Sequence, residues 1–299
     1  MTSLGLLTVR GRFRDQGIAD LAVQLTRPPV TRLFIGQSPE VVVKTVPYLY
    51  ALCAHAQRAA AQAALAAAAD EARRPVDDGE LWIEFLHENL WRLLLDWPPA
   101  LGLAPASAAF AAWREARQGP ERVAVTQALL AGVLHEVAGQ CGALLDEPAQ
   151  RPHVVALSLQ PEAWLAYWQG CGGELPSPRQ PASLGAAYQT RLAEVHMAAA
   201  ALAHNQPYPI AAAGSSGWGV GQTLTARGVL THAVHVADGR VRNYRVWSPT
   251  DCYFADGGAL NALLAGRQFT DQGAAQHGLE QAVLALDPCL PYVVELNNA

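Results

Sequence analysis

The sequence contains no Cys-x-x-Cys pair and no His-x-x-x-His, so the common frameworks of a structural zinc site are missing. No Gly-x-Gly-x-x-Gly joins a strand to a helix, and the glycine-rich stretch from Gly214 to Gly221 has a different spacing, which argues against dinucleotide binding. A phosphate loop and a Gly-x-Ser-x-Gly elbow are absent as well. Charge is scarce: 16% of residues are charged, the formal net charge is −5, and no block of Lys and Arg supplies the basic footprint of a nucleic-acid binder. No run of about 18 uncharged apolar residues is present to cross a membrane. Even the alanine-rich segment from Ala59 to Ala69 holds Gln62 and is bounded by Arg58 and Asp70. Met1 to Phe13 shows neither a basic region leading into an apolar one nor a small-residue cleavage site, so no secretory leader is expected. The five cysteines, Cys53, Cys141, Cys171, Cys252 and Cys289, are odd in number and scattered, which fits free thiols in a reducing compartment. A soluble, cytoplasmic protein is expected.

What is present is ample core material, with 51% of the 299 residues hydrophobic. Period-two patterning over Leu6 to Phe13, Val23 to Leu25 and Thr31 to Ile35 predicts a small β element. Ser38-Pro39-Glu40 opens a helix, Pro47 interrupts it, and a second helix is expected from about Tyr48 to Ala72, with Cys53 in its first turns. Glu80 to Leu95 reads as an amphipathic helix closed by Asp96-Trp97-Pro98-Pro99, followed by helices over Ser107 to Arg117, Glu121 to Leu145, Pro161 to Gln169 and Ser183 to His204. A short apolar run lies at His153 to Leu159, and Gly170 to Pro181 reads as loop. Two alternating runs around Asp238-Gly239 predict a hairpin, and two weaker helices, Gly258 to Gly266 and Gly273 to Leu286, lead to the C-terminus. The expectation is one domain of mainly α (α+β) class, a multihelical bundle with short β-hairpins. It divides into a β element over 1–36, a helical body over 37–211, a glycine-rich loop and hairpin over 212–256, and C-terminal helices with a cysteine turn over 257–299.

Two cysteines stand out from the rest. Cys289 follows Asp287-Pro288, and proline fixes its own φ while pushing the residue before it out of the helical region, so this thiol is mounted on a turn. Cys53, near an expected helix N-terminus, is placed where a thiol pKa falls and the metal-ligating thiolate is favoured. By default His55, His87 and His232 are satisfied core or boundary histidines, Cys141 and Cys171 are structural, and the alanine face between Ala59 and Ala69 serves close helix packing.

Taken in order, Cys53, the Asp96-Trp97-Pro98 helix end, Arg227-Gly228, Pro249-Thr250 and Asp287-Pro288-Cys289 resemble the active-site landmarks of the [NiFe]-hydrogenase large subunit. The passage from Ala226-Arg227-Gly228 to His232, with Ser248-Pro249-Thr250 after it, is similar to that family's Pro-Arg-Gly-x-Leu-x-His hairpin and its following Pro-Thr. Asp287-Pro288-Cys289 resembles its Asp-Pro-Cys-x-x-Cys-x-x-His, and Thr31 to Pro39 followed by Leu52-Cys53 resembles the approach to its first Cys-x-x-Cys. The chain is considerably shorter than such a subunit, and Arg117 to Ala211 is weakly covered. The departures are informative: Tyr50 and Tyr292 stand where two of the four metal-binding cysteines would be, Gln57 and Glu295 where histidines would be. Only Cys53 and Cys289 remain.

This pattern resembles the HupK/HoxV accessory proteins of [NiFe]-hydrogenase maturation. The resemblance implies a reduced large-subunit-like fold and a non-catalytic scaffold that holds iron as Fe(CN)2CO, without nickel, between Cys53 and Cys289. Arg227 and Thr250 would donate to the two cyanides, and Asp287 and Asp96 would orient Arg227. The implied partners are the apo large subunit and Hyp-type maturation proteins that donate the fragment; no nucleic acid and no membrane is expected. Taken singly, the same residues have plainer roles: Arg227 pairing a buried carboxylate, Thr250 capping its turn, Asp287 forming an Asx-turn, and Cys252 either a third thiol near the site or a structural one. A hydrogenase-like redox enzyme with a reduced metal site and a metal-free structural chaperone are the alternatives.

Overall fold

The computed structural model describes residues 5–50, 52–145, 158–171 and 180–298. Strand β1 (Leu6–Arg14) turns back into β2 (Gly17–Thr26), with a register shift between Arg10 and Arg12. The segment Thr31 to Ile35, expected as a strand, lies largely in a 3-10 turn over Val30–Phe34; its N–H groups serve local turns, Arg32 donating to the Pro29 carbonyl at 3.1 Å and Ile35 to the Arg32 carbonyl at 3.3 Å. Helix α1 (Pro39–Leu49) carries Pro47 inside it without ending there. The break comes three residues later at Tyr50, and α2 (Ala54–Ala68) starts only after Cys53, so Cys53 is its N-cap residue and not part of its first turns.

Helix α3 (Asp78–Trp91), capped by the Asp77 side chain on the Glu80 N–H, runs on into a π turn over Arg92–Asp96 and then α4 (Trp97–Ala100). Trp97-Pro98-Pro99, expected as a stop, is therefore part of the helical rod, because proline is tolerated in a first turn where its missing N–H has no partner anyway. The body continues through α5 (Ser107–Ala116), α6 (Arg122–Leu129), a second π turn over Leu130–Leu134, α7 (His135–Leu144), α8 (Pro161–Trp168) and α9 (Leu184–Ala203). The apolar run at His153 to Leu159 and the loop from Gly170 to Pro181 fall mostly outside the described residues.

A four-stranded antiparallel sheet follows in chain order: β3 (Ile210–Ser215), β4 (Trp218–Thr225), β5 (Gly228–Ala237) and β6 (Arg240–Trp247). The expected hairpin is β5 and β6, pairing Ala237 with Arg240 across Asp238-Gly239. Short α10 (Pro249–Tyr253), α11 (Gly258–Leu264) and α12 (Gln272–Leu286) lead to the Asp287-Pro288-Cys289 turn. The apolar tail after it is a strand, β7 (Tyr292–Asn298), lying parallel to β1 with Leu7 opposite Tyr292 and forming the sheet β2-β1-β7. The fold is mainly helical with two small sheets. The two ends of the described chain are laced together, which brings the Cys289 turn to the middle of the molecule.

The glycine-rich stretch has a packing function. A Cβ added at Gly219 or Gly221 would stand 2.0 Å from Ala64 O or 2.2 Å from Ala60 O, and one at Gly214 would stand 2.0 Å from Ala67 O. Gly219 and Gly221, two residues apart, share one face of β4, while Ala60 and Ala64 share one face of α2. Alanine helix and glycine sheet thus approach to backbone contact, and the α2 N-terminus, with Cys53, is fixed against the sheet. The alanine-rich helix packs closely on the sheet as well as on α1, where Ala61 and Ala64 share a core with Val42 and Val46. Gly221→Ala should destabilise the protein by about 1–3 kcal/mol through overpacking. Gly139→Ala, exposed in α7 with nothing near its added Cβ, should stabilise by about 0.5–1 kcal/mol. Urea midpoints of the two variants, moving in opposite directions, are the check.

Candidate metal-fragment site

The β4–β5 turn, the α10 N-terminus, the α1–α2 break and the turn after α12 converge on one cavity of about 940 Å³. Cys53, Cys289, Arg227 and Thr250 all line it, together with Tyr50 and Tyr292. The two sulfurs are near enough that a charge on Cys289 would raise the Cys53 pKa. Among the described residues, no group of three or more His, Cys, Asp or Glu is assembled to hold a metal ion.

Asp287 is the hub of the site. It ends α12 in the left-handed conformation (φ 48°), which strains a residue bearing a Cβ, and its carboxylate is 1% exposed. Three guanidinium groups close on it: Arg92 Nε at 2.6 Å, Arg191 Nη2 at 3.0 Å and Arg227 Nε at 3.4 Å. Although burial disfavours the charged form, the three cations win, and the Asp287 pKa is lowered to about 2. It is an ion-pair hub rather than an Asx-turn.

Arg227 is buried. Its Nε donates to the Asp287 backbone carbonyl at 3.1 Å and its Nη2 to Glu88 Oε2 at 2.9 Å. Its remaining nitrogen, Nη1, is buried with no hydrogen-bond partner among the described residues. Glu88, on α3, carries no sequence signal; its place about two turns before Asp96 on the helix that faces Arg227 becomes visible only in the fold. Asp96 does not reach Arg227. It pairs with Arg92, four residues back on the π turn, and so acts on Arg227 only through the Arg92–Asp287 contact. Glu295 stands further off still, pairing with Arg10 on the exposed face of the β1–β7 sheet.

Thr250 is fully buried in the first turn of α10, whose Ser248 and Asp251 form a reciprocal capping box. Its Oγ1 accepts the Cys289 N–H at 3.1 Å, so the hydroxyl proton is not used in that bond. Cys53 is steadied from behind by a buried chain: Gln57 Nε2 donates to its sulfur at 3.5 Å, Gln57 Oε1 meets His232 Nε2 at 2.7 Å, and His232 Nδ1 meets the Tyr244 hydroxyl at 2.7 Å. The lowered thiol pKa expected at the helix N-terminus is reversed, and the Cys53 pKa is pushed up to about 12, first by burial and then by Glu84. The Glu84 carboxylate itself accepts the His55 and Ala56 N–H groups that would have favoured a thiolate. Cys53 is accordingly a thiol at neutral pH.

The comparisons agree with this architecture. No family model matches the chain. It is 31% identical to the hydrogenase expression/formation protein HupK of Azotobacter vinelandii and 30% identical to HupV of Azotobacter chroococcum mcd 1, each over 99% of both chains. The chain belongs to the HupK/HoxV family of hydrogenase expression/formation proteins. HoxV of Cupriavidus necator is 26% identical over 99% of this chain and 97% of its own length. Among solved structures, the [NiFeSe] hydrogenases of D. vulgaris Hildenborough (TM-score 0.63, 13% identity, 93% of this chain and 94% of that one) and Desulfomicrobium baculatum (TM-score 0.62, 11% identity, 94% and 95%) share its fold. The large-subunit-like α+β fold expected from the motif order is thus the fold found.

In this HupK/HoxV-family chain the remaining cysteines lie away from the cavity lining: Cys141 is buried beside Tyr188, Cys252 is half-buried in α10, and Cys171 is exposed and so not the structural thiol expected. His87 lies beside Glu88 and His232 is in the core, but His55 is exposed.

Asp287→Asn leaves buried guanidinium charge uncompensated and should cost about 3–5 kcal/mol, read as a fall in the urea midpoint. Burial lowers the His232 pKa from 6.5 to about 3, so its neutral form stabilises the fold fully above pH 6.5, and that contribution is lost as pH falls toward 3. In His232→Leu this acid-side loss is absent. The stability gap between parent and variant should therefore shrink steadily from pH 6.5 to pH 4; a constant gap would refute the assignment.

Proposed function

We propose that this protein is a non-catalytic scaffold that carries iron as the Fe(CN)2CO unit during [NiFe]-hydrogenase maturation and passes it to the apo large subunit. The observation that carries the reading is one cavity holding two cysteines beside a buried guanidinium whose Nη1 has no partner among the described residues. A bare divalent ion would find too few protein donors here. An iron that brings three diatomic ligands of its own needs only two thiolates and hydrogen-bond donors for its cyanides. The unpaired Arg227 Nη1 and the Thr250 hydroxyl are donors of that kind, and an unsatisfied buried N–H is costly until something accepts from it. With Tyr50 and Tyr292 in place of cysteines, four thiolates for nickel are not assembled, which supports a holding role over hydrogen turnover.

The names of the relatives, hydrogenase expression/formation proteins, support a place in assembly. On this reading the donors of the fragment are Hyp-type maturation proteins, the recipient is the apo large subunit whose fold this chain shares, and the exchange takes place in the cytoplasm. The protein acts on the cargo by holding its iron at Cys53 and Cys289, directing Arg227 and Thr250 at its cyanides, and walling it from water.

The test is to purify the protein from cells that express the maturation machinery and record its infrared spectrum and metal content. Cyanide and carbon monoxide bands with iron near one per chain and little nickel are expected. Cys53→Ala and Cys289→Ala should lose the bands, and Thr250→Val should move one cyanide band more than the carbon monoxide band. Stoichiometric nickel with hydrogen uptake would sink the scaffold reading in favour of a redox enzyme. A folded parent with no bands would leave a metal-free chaperone.

A further inference from the structure

Arg27 plays no part in the reading above. It follows the last residue of β2 and precedes Pro28-Pro29, whose fixed φ angles limit how far this wall of the cavity can move. Its Nη2 lies 3.3 Å from Cys289 Sγ and 3.4 Å from Ser248 Oγ, and its Nε lies 3.2 Å from Asp251 Oδ1. Asp251 is itself fixed, accepting from the Ser248 N–H at 3.0 Å and the Ser248 hydroxyl at 2.7 Å. The same short helix carries Thr250, which accepts the Cys289 N–H. Guanidinium and sulfur are therefore registered against one rigid element, from two sides. An ordinary ion pair with Asp251 explains the Nε edge but not why the Nη2 edge meets the sulfur. With 27% of its side chain exposed, Arg27 stands on the solvent side of Cys289, whereas Arg227 is deeply buried.

We propose that Arg27 is a positioning residue for the cargo: its N–H···S hydrogen bond fixes the Cys289 sulfur and tunes the iron bound to it. The inference rests on the cargo reading given above. A hydrogen bond to a coordinating thiolate draws charge from sulfur, so the sulfur donates less to the metal. An iron that receives less donation returns less density to the antibonding orbitals of carbon monoxide and cyanide, and their stretching frequencies rise. Arg27 thus makes the Cys289–iron bond less electron-rich than the Cys53–iron bond, whose sulfur meets the neutral Gln57 amide. Of the two attachments, the one at Cys289 is the weaker, and it is the one that opens first when the cargo is handed on.

The experiment compares infrared spectra of the protein, Arg27→Met and Arg27→Lys, all purified from cells expressing the maturation machinery and checked for equal melting temperature. Arg27→Met should carry carbon monoxide and cyanide bands shifted to lower wavenumber, and Arg27→Lys, which keeps a charged donor, should lie between it and the parent. Bands at the parent's positions in Arg27→Met would overturn the inference while leaving the cargo reading intact. Equal loss of the bands from both variants would point to a damaged wall and overturn it too. A parent without bands would remove the cargo reading and this inference together.

Discussion

A buried carboxylate surrounded by three guanidinium groups is the constraint on which the rest of this molecule depends. Asp287 draws Arg92 from the α3–α4 rod, Arg191 from α9 and Arg227 from the β4–β5 turn to the end of α12. Three acids, Asp96, Asp287 and Glu88, face these three bases, so the cluster is charge-balanced. Removing one member leaves an uncompensated buried charge, which is far costlier than the pair is stabilising. That asymmetry explains how Asp287 is held in a left-handed conformation unfavourable for a side chain. The strain aims Pro288 and Cys289 away from the α12 axis and into the cavity.

The site is thus built from chain segments remote in sequence, tied by ion pairs inside and by strand pairing at the periphery. Parallel pairing of β7 with β1 anchors the chain just beyond Cys289, and β2 delivers Arg27 to the same place. On the other side, glycine–alanine contact locks α2 to the sheet and sets the position of Cys53. A pocket held by both devices is preorganised: the cysteines already line one cavity, so on the proposed reading little conformational entropy is lost when a cargo binds.

Much of this was legible in the sequence, and the reasons for the rest are specific. Helices over Ser107–Ala116, Pro161–Trp168 and Leu184–Ala203, and the hairpin at Asp238-Gly239, follow from local periodicity and turn chemistry. Thr31 to Ile35 misled because β-branched and apolar residues mark strands only where a partner edge exists, and Val241 N–H and C=O instead bond to single carbonyl and amide groups at Gln37 and Gly36. β7 was missed because a parallel edge strand gives no turn signal. For the site, motif order gathered Cys53, Cys289, Arg227, Thr250 and Asp287, while Glu88, Arg92, Arg191 and Arg27 carried no signal. Their significance lies in which carboxylate or sulfur they meet, a long-range pairing that no local pattern encodes. Cys53 shows the same limit: proximity to a helix N-terminus is readable from sequence, but Glu84, from another helix, occupying that N-terminus is not.

These electrostatics bear on how such a site would work. With Cys53 protonated and the acid–base cluster balanced, the cavity presents a neutral Cys53 thiol and, at Arg227 Nη1, a donor with no partner among the described residues. On the proposed reading, holding an iron through both sulfurs requires the Cys53 proton to leave, and the negative charge of the thiolates and cyanides then lies against Arg227 and Arg27. The two guanidinium groups are not equivalent: Arg227 is fixed by Asp287 and Glu88 deep in the fold, whereas the partly exposed Arg27 is paired with Asp251. A ligand gripped this way is held firmly on its inner side and less firmly on its outer side, which favours release toward solvent over release into the core. The cavity volume, about 940 Å³, is near the upper end of the roughly 300–1,000 Å³ of small-molecule sites. An iron with three diatomic ligands is much smaller than this, so on the proposed reading the cavity leaves room for an incoming thiolate from a recipient chain to approach while Cys53 still holds the cargo.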